Sequence, residues 1–159
     1  MRWIVIESPI GELSLAADDT GLTRLRFGVE GPRDTRAEDP VLAAAREELA
    51  AYFAGELTGF SVPLSAPAGS AFEVAVWRHL SAIGYGEMET YGDVARAVGD
   101  PGAARAVGMA CNRNPVAIIV PCHRVVGAGG KMVGFGGGLP RKRHLLELEA
   151  RVTLETAWN

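Results

Sequence analysis

Three short apolar runs open the chain, each in partial alternation with polar residues: Trp3 to Ser8, Glu12 to Ala17 and Leu22 to Phe27. A period of two puts alternate side chains on one sheet face. The turn residues between the runs, Pro9-Ile10-Gly11 and Asp18-Asp19-Thr20-Gly21, predict an antiparallel meander. The period then changes. After a polar, proline-containing loop from Gly28 to Pro40, the stretch Val41 to Ala54 carries Leu42, Ala45, Leu49 and Tyr52 or Phe53 on one helical face. That stripe predicts a helix covering the sheet. The run Ala66-Pro67-Ala68-Gly69-Ser70 has the texture of a linker, and a domain boundary is expected there. Residues 1–67 are expected to form an N-terminal α/β domain in a supporting role, 68–150 a mainly α-helical domain, and 151–159 a tail.

In the second part, Ser70 is placed to cap a helix from Ala71 to about Ile83, with Phe72, Val76 and Leu80 inward, Trp77 at the flank and Gly84-Tyr85-Gly86 as the stop. Thr90 followed by Asp93 has capping-box spacing for a short helix ending at Gly99, and Asp100-Pro101 reads as the cap and first turn of another running to Asn112. Two helices joined by a tight turn make a helix-turn-helix, so the fold class predicted is α+β. The second helix is rich in small residues (Gly102, Ala103, Ala104, Ala106, Gly108, Ala110) around Arg105, and its face is expected to be smooth. Close packing inside a core and close approach to a nucleic-acid groove both call for such a face.

Composition narrows the function class. A chain that is 48% hydrophobic and 22% charged, with net charge -3 and no long apolar span, is expected to be soluble and without a membrane segment. The apolar start is broken at Glu7-Ser8-Pro9, too early for a signal-peptide core, which points to the cytoplasm. Two cysteines are too few for a secreted disulfide framework. His79, His123 and His144 show no zinc-ligand spacing with them, so no metal is expected. Charge is unevenly placed: residues 1–70 hold 6 Lys or Arg against 11 Asp or Glu, whereas 101–146 hold Arg105, Arg113, Arg124, Lys131, Arg141, Lys142 and Arg143 with no acid. Such a bias suits a phosphate backbone, and it equally describes an ordinary solvated face.

The chemistry concentrates at Pro121-Cys122-His123-Arg124-Val125, entered from the apolar stretch Val116 to Val120 and left through glycines. A thiol beside an imidazole, between a stiff extended approach and a glycine-rich exit, reads as a presented nucleophile. Taken singly, each residue also has a plain structural reading.

The ordered series Arg105-Ala106-Val107-Gly108, Asn114-Pro115, Ile118 through Val126, Gly134-Phe135, Gly137-Gly138 and Lys142 through Glu149 resembles the O6-alkylguanine-DNA alkyltransferases, strongly from Phe72 to Glu149 and weakly before. The resemblance implies a stoichiometric, irreversible transfer of an alkyl group from O6-alkylguanine in double-stranded DNA to Cys122. By the same resemblance His123 takes the thiol proton through a water, Glu149 orients His123, and Asn114 holds the turn before the cysteine. Tyr91 assists nucleotide rotation and departure of the guanine anion. Arg105 fills the space left in the duplex, with Ala104 and Gly108 on a helix lying in the minor groove. The carbonyls of Cys122 and Val125 and the amide of Gly136 would read the base, with Cys111, Phe135 and Lys142 at the pocket. Two positions depart from the family. Phe135 stands where a tyrosine is usual, removing a hydrogen-bonding partner for Lys142, and Cys111 stands where a larger apolar residue packs, which would admit larger alkyl groups. The resemblance implies no cofactor and a monomer.

Three rivals differ in class. A non-catalytic alkylation-damage recognition protein would lack the acceptor cysteine. A cysteine hydrolase would turn over repeatedly without a basic helix-turn-helix, and a sequence-specific regulator would need base-reading side chains that Ala103 to Ala110 do not offer.

Overall fold

The computed structural model describes residues 1–31 and 39–158, and they divide into two compact units. Most of the expected loop from Gly28 to Pro40 lies outside the described residues. The first unit comprises Met1–Pro67 with Pro115–Ala117, and the second Ala68–Asn114 with the chain from Ile118 onward.

In the first unit, β1 (Arg2–Ile6), β2 (Leu13–Ala17) and β3 (Leu22–Phe27) form an antiparallel sheet in the order β1-β2-β3, the meander expected from the alternation. Every residue of β2 is buried, as a central strand covered on both faces requires. Ser14 is tolerated there because its hydroxyl donates to the Gly28 carbonyl at 2.7 Å and accepts from the Glu30 amide at 2.7 Å. Helix α1 (Pro40–Phe53) packs on β2 through Leu42, Ala45, Leu49 and Tyr52. Asp39 caps it, accepting from the amides of Val41 and Leu42 at 3.0 Å each while pairing with Arg2. The edge at β3 is extended by two isolated pairings, Leu22 with Leu64 and Leu25 with Val116. Gly21 permits the first, since a Cβ there would lie 2.6 Å from the Pro63 carbonyl oxygen.

The second unit is helical apart from a two-residue parallel pairing between β4 (Glu89–Thr90) and β5 (Val125–Val126). Sequence patterning did not show this pairing, because two residues carry no period. Helix α2 (Ala71–Leu80) begins with a full capping box between Ser70 and Glu73, and α3 (Tyr91–Ala97) with one between Thr90 and Asp93. The third cap differs from expectation. Helix α4 runs from Ala104 to Asn112 with Ala103 at its N-cap and no side-chain cap, because Asp100 instead closes a turn in which its carbonyl accepts from the Ala103 amide at 3.0 Å.

Two further expectations are corrected. Residues 151–157 are not a separate tail: helix α5 spans Leu139–Ala157, and Val152 continues the buried stripe Lys142, Leu145, Leu148 and Glu149. The approach to Cys122 is not extended either. Only Val116 pairs as a strand would, and Ile118 then adopts φ 70°, a left-handed conformation that is costly for a β-branched residue. The turn is closed by Asn114, whose Nδ2 donates to the Val120 carbonyl at 2.7 Å in a buried setting.

Candidate active site

The Cys122 sulfur lies in a tight 3₁₀ turn, Cys122–Arg124, between the Asn114 turn and β5. Cys122, His123 and Arg124 are all buried, and so are Lys142 and Glu149 from the inward stripe of α5. One helix face thus delivers a cation and an anion to the same interior, where charges persist only if each is partnered.

The partners are specific. Glu149 accepts hydrogen bonds on both oxygens: on Oε1 from the Gly86 amide (3.1 Å) and Arg124 Nε (2.8 Å), and on Oε2 from Arg124 Nη2 (3.1 Å) and His123 Nε2 (2.7 Å). Gly86 reaches this position with φ 77°, a conformation natural to glycine. A carboxylate already serving as acceptor on both oxygens leaves His123 Nε2 the donor's role, so the imidazole proton sits on Nε2. Nδ1 is then the bare nitrogen. It is buried and has no hydrogen-bond partner among the described residues. Burial pushes the His123 pKa below its ordinary value, with Glu149 opposing and Arg124 and Lys142 adding to the depression, so the resting ring is neutral.

Burial likewise pushes the Cys122 thiol upward, against a hydrogen bond from Asn114 and the positive charge of Lys142, which pull it down. The resting sulfur is therefore a protonated thiol, and the next residue in the turn carries a neutral imidazole with a free lone pair, a group of the kind that can accept a thiol proton.

Lys142 links this interior to a neighbouring cavity. Its Nζ donates to the Val125 carbonyl at 2.6 Å and lies 5.8 Å from the ring centroids of both Tyr91 and Phe135. With no phenol at position 135, a carbonyl and two aromatic faces hold the ammonium. The cavity, about 350 Å³, is lined by Tyr91, Ala104, Arg105, Gly108, Asn112, Val133 and Gly134. The Tyr91 hydroxyl donates to the carbonyls of Val133 (3.2 Å) and Gly134 (3.4 Å), and burial raises its pKa to about 12. Cys111, also pushed to about 12 by burial, sits on the inward face of α4 with Val107 and Ala110. That face is pinned by Trp77 Nε1, which donates to the Ala110 carbonyl at 2.8 Å. Gly136 is exposed, and a Cβ added to it would meet Asn112 at 4.0 Å.

The chain matches the profile of the 6-O-methylguanine DNA methyltransferase DNA-binding domain over residues 71–151, and that of the ribonuclease-like domain of the same proteins over residues 1–66. It belongs to the 6-O-methylguanine DNA methyltransferase family. Among its relatives, the methylated-DNA–protein-cysteine methyltransferase of Mycolicibacterium paratuberculosis is 53% identical over 155 residues, 95% of this chain and 93% of that protein. The Methanosarcina acetivorans protein of the same name is 48% identical over 154 residues, 94% and 98% of the two chains. The crystal structure of the Mycobacterium tuberculosis O6-methylguanine methyltransferase superposes with a TM-score of 0.83 at 50% identity, covering 94% of this chain and 93% of that one. The Mycobacterium tuberculosis OGT structure in complex with DNA gives 0.86 at 50% identity, covering 96% and 94%. The α+β fold of the family is therefore the fold of this chain.

Two readings of the sequence need correction at the site. Arg124 and Lys142, counted with a basic surface, are buried partners of Glu149 and Val125, and Arg113 lies 3.6 Å from Glu73. The exposed cations of that stretch are Arg105, Arg113, Lys131 and Arg143, with Arg141 half-buried. Nor is α4 smooth: Met109, one turn beyond Arg105, is 56% exposed. Sequence reading missed Asn112 as a cavity residue and Arg124 as the partner of Glu149. For Arg124 the signal was its place beside His123, which charge counting averaged away.

Proposed function

We propose that the chain repairs duplex DNA by direct reversal, transferring the alkyl group of O6-alkylguanine to Cys122 Sγ once per molecule. The observation that carries this reading is that a buried thiol and an imidazole whose Nε2 is held on Glu149 and whose Nδ1 is bare follow one another in a single buried turn. The thiol proton passes through a water to Nδ1. Sulfur attacks the alkyl carbon, a carbon–sulfur bond forms as the carbon–oxygen bond breaks, and the guanine anion recovers one proton. Atoms and charge balance without a cofactor. Thioether formation consumes the nucleophile, so product equals protein in amount.

An O6-alkyl group is shielded within the base stack, so the nucleotide has to turn out of the duplex. Arg105, exposed on α4 beside the cavity, is the side chain to fill the vacated space, with α4 in the minor groove and Ala104 and Gly108 allowing close approach. Tyr91 lines the same cavity, where its hydroxyl would leave the loop carbonyls for the guanine ring. The Cys122 and Val125 carbonyls and the Gly136 amide would read the base, and Cys111 would leave room beside the alkyl group. The working form is a monomer in the cytoplasm; among the described residues, no helix is long and apolar enough to cross a membrane. The test is intact mass after incubation with a duplex carrying O6-methylguanine. One added methyl mapping to Cys122 is expected. An unchanged mass with binding retained would make this a damage-recognition protein, and a methyl on Cys111 would overturn the assignment of the nucleophile.

A further inference from the structure

We propose that Arg124 is a positioning residue for alkyl transfer: its guanidinium fork locks Glu149 against His123 and so fixes the imidazole tautomer that leaves Nδ1 as the proton acceptor. The proposal deepens the transfer reading and rests on it.

The geometry is over-determined. Nε and Nη2 of Arg124 take the two oxygens of Glu149 separately, at 2.8 and 3.1 Å, and Nη1 donates to the Ile83 carbonyl at 2.7 Å. The guanidinium carbon lies 5.6 Å from the centroid of the Tyr85 ring. The fork is thus held by the loop after α2 on one side and by α5 on the other. A buried guanidinium with a hydrogen bond from each of its three nitrogens costs desolvation that one ion pair barely offsets, and what the pair supplies instead is geometric specificity. Only arginine supplies it, because a lysine ammonium has no planar fork with which to hold both carboxylate oxygens at set angles. With both oxygens held, the carboxylate cannot rotate away from Nε2.

The charged and titratable groups facing His123 are Glu149 and Lys142 from α5 and Cys122 and Arg124 from its own turn, with Tyr85 of the loop facing Glu149. Glu149 draws a proton onto the ring, while Arg124 and Lys142 repel one. Losing the Arg124 charge therefore makes His123 easier to protonate, whereas losing only the fork leaves that balance and loosens the orientation.

These effects separate in single-turnover transfer from an O6-methylguanine duplex, followed from acid to alkaline pH with Arg124→Lys and Arg124→Gln. Both are expected to slow transfer by about 10- to 100-fold, a fraction of what general acid–base catalysis supplies. Arg124→Lys should keep the acid limb of the parent, and Arg124→Gln should move it to higher pH, with DNA affinity unchanged in both. An Arg124→Lys rate equal to the parent, or an unmoved limb in Arg124→Gln, overturns the proposal. Nitrogen-15 NMR of the unsubstituted protein decides the matter even if neither variant folds. A neutral His123 protonated on Nε2 is expected, and a ring protonated on Nδ1 overturns the proposal. If the unsubstituted protein takes up no methyl, the transfer reading fails while the tautomer result still stands on its own.

Discussion

Lys142 Nζ donates to the Val125 carbonyl oxygen across 2.6 Å inside the second unit, with both residues buried. A carbonyl oxygen has two lone pairs, so this one keeps acceptor capacity for the guanine amino group that it is proposed to bind. The ammonium also faces the rings of Tyr91 and Phe135, which joins the helix bearing Tyr91, the loop bearing Phe135 and the strand after Cys122 through one cation.

Replacing Lys142 by Met should separate stability from chemistry. Met fills similar volume and removes a buried charge, but it leaves the Val125 carbonyl without its donor, so unfolding free energy should fall by no more than about 1–3 kcal/mol. The positive charge that pulls the Cys122 thiol downward would be gone, however, and the thiol would rise further. Transfer should slow by about tenfold or more, in line with the loss of one preorganised charge from a buried site. Denaturant melts beside single-turnover rates check both halves, and a large loss of stability would show that Lys142 acts mainly as a structural clamp.

Stability should be greatest in a window that His123 limits on the acid side and the two buried thiols, Cys122 and Cys111, limit on the alkaline side. His123 is depressed below its ordinary 6.5 when folded, so the folded chain binds fewer protons than the unfolded one as pH falls through that value, and stability is lost on the acid side. Cys122 is raised above its ordinary 9.0, so its contribution is complete below that value and is lost as pH rises through the folded pKa. Unfolding free energy measured against pH should plateau between about 6.5 and 9 and fall on both sides. In Cys122→Ala the alkaline decline should weaken while the acid one stays.

Much of this was legible in the chain and some was not, for physical reasons. Alternation over five or six residues marked each strand of the meander, and two capping boxes marked α2 and α3, because both signals are local. Cys122 and His123 stood out as a thiol beside an imidazole, whereas Glu149 entered only through resemblance to a family, since nothing local joins a turn at 122–124 to a helix far along the chain. The charge count put Arg124 in a basic stretch, and only the resemblance put Lys142 at the pocket, for the same reason: counting takes no account of burial, and whether a cation is solvated depends on partners distant in sequence. The turn at Ile118 escaped notice because its apolar, β-branched surroundings favour extension, and a side chain at Asn114 overrides that preference.

Asn114 should therefore matter twice. Its Nδ2 closes the turn onto the Val120 carbonyl, and its hydrogen bond draws the Cys122 thiol downward. Asn114→Ala leaves a buried carbonyl without its donor, at a cost of about 1–3 kcal/mol, and raises the thiol further. Slower transfer with an alkaline-shifted profile, alongside a lower unfolding free energy, is expected. A stability loss with no change in the profile would confine Asn114 to the turn.

Encounter with DNA and extrusion of the base should be separable at α4. Arg105 is exposed and lines the cavity, whereas Lys131 and Arg143 are exposed cations outside its lining. If Arg105 acts in the vacated stack rather than on a phosphate, Arg105→Ala should leave the dependence of affinity on salt nearly unchanged while transfer drops. Replacing an exposed cation that does touch phosphate should instead reduce the slope of log affinity against log salt by about 0.9 per lost contact. Measuring that slope on Cys122→Ser, which should bind without reacting, keeps alkylation from distorting the equilibrium. A slope that falls by a full contact in Arg105→Ala, with the transfer rate of bound complex preserved, would move Arg105 from the base stack to the backbone.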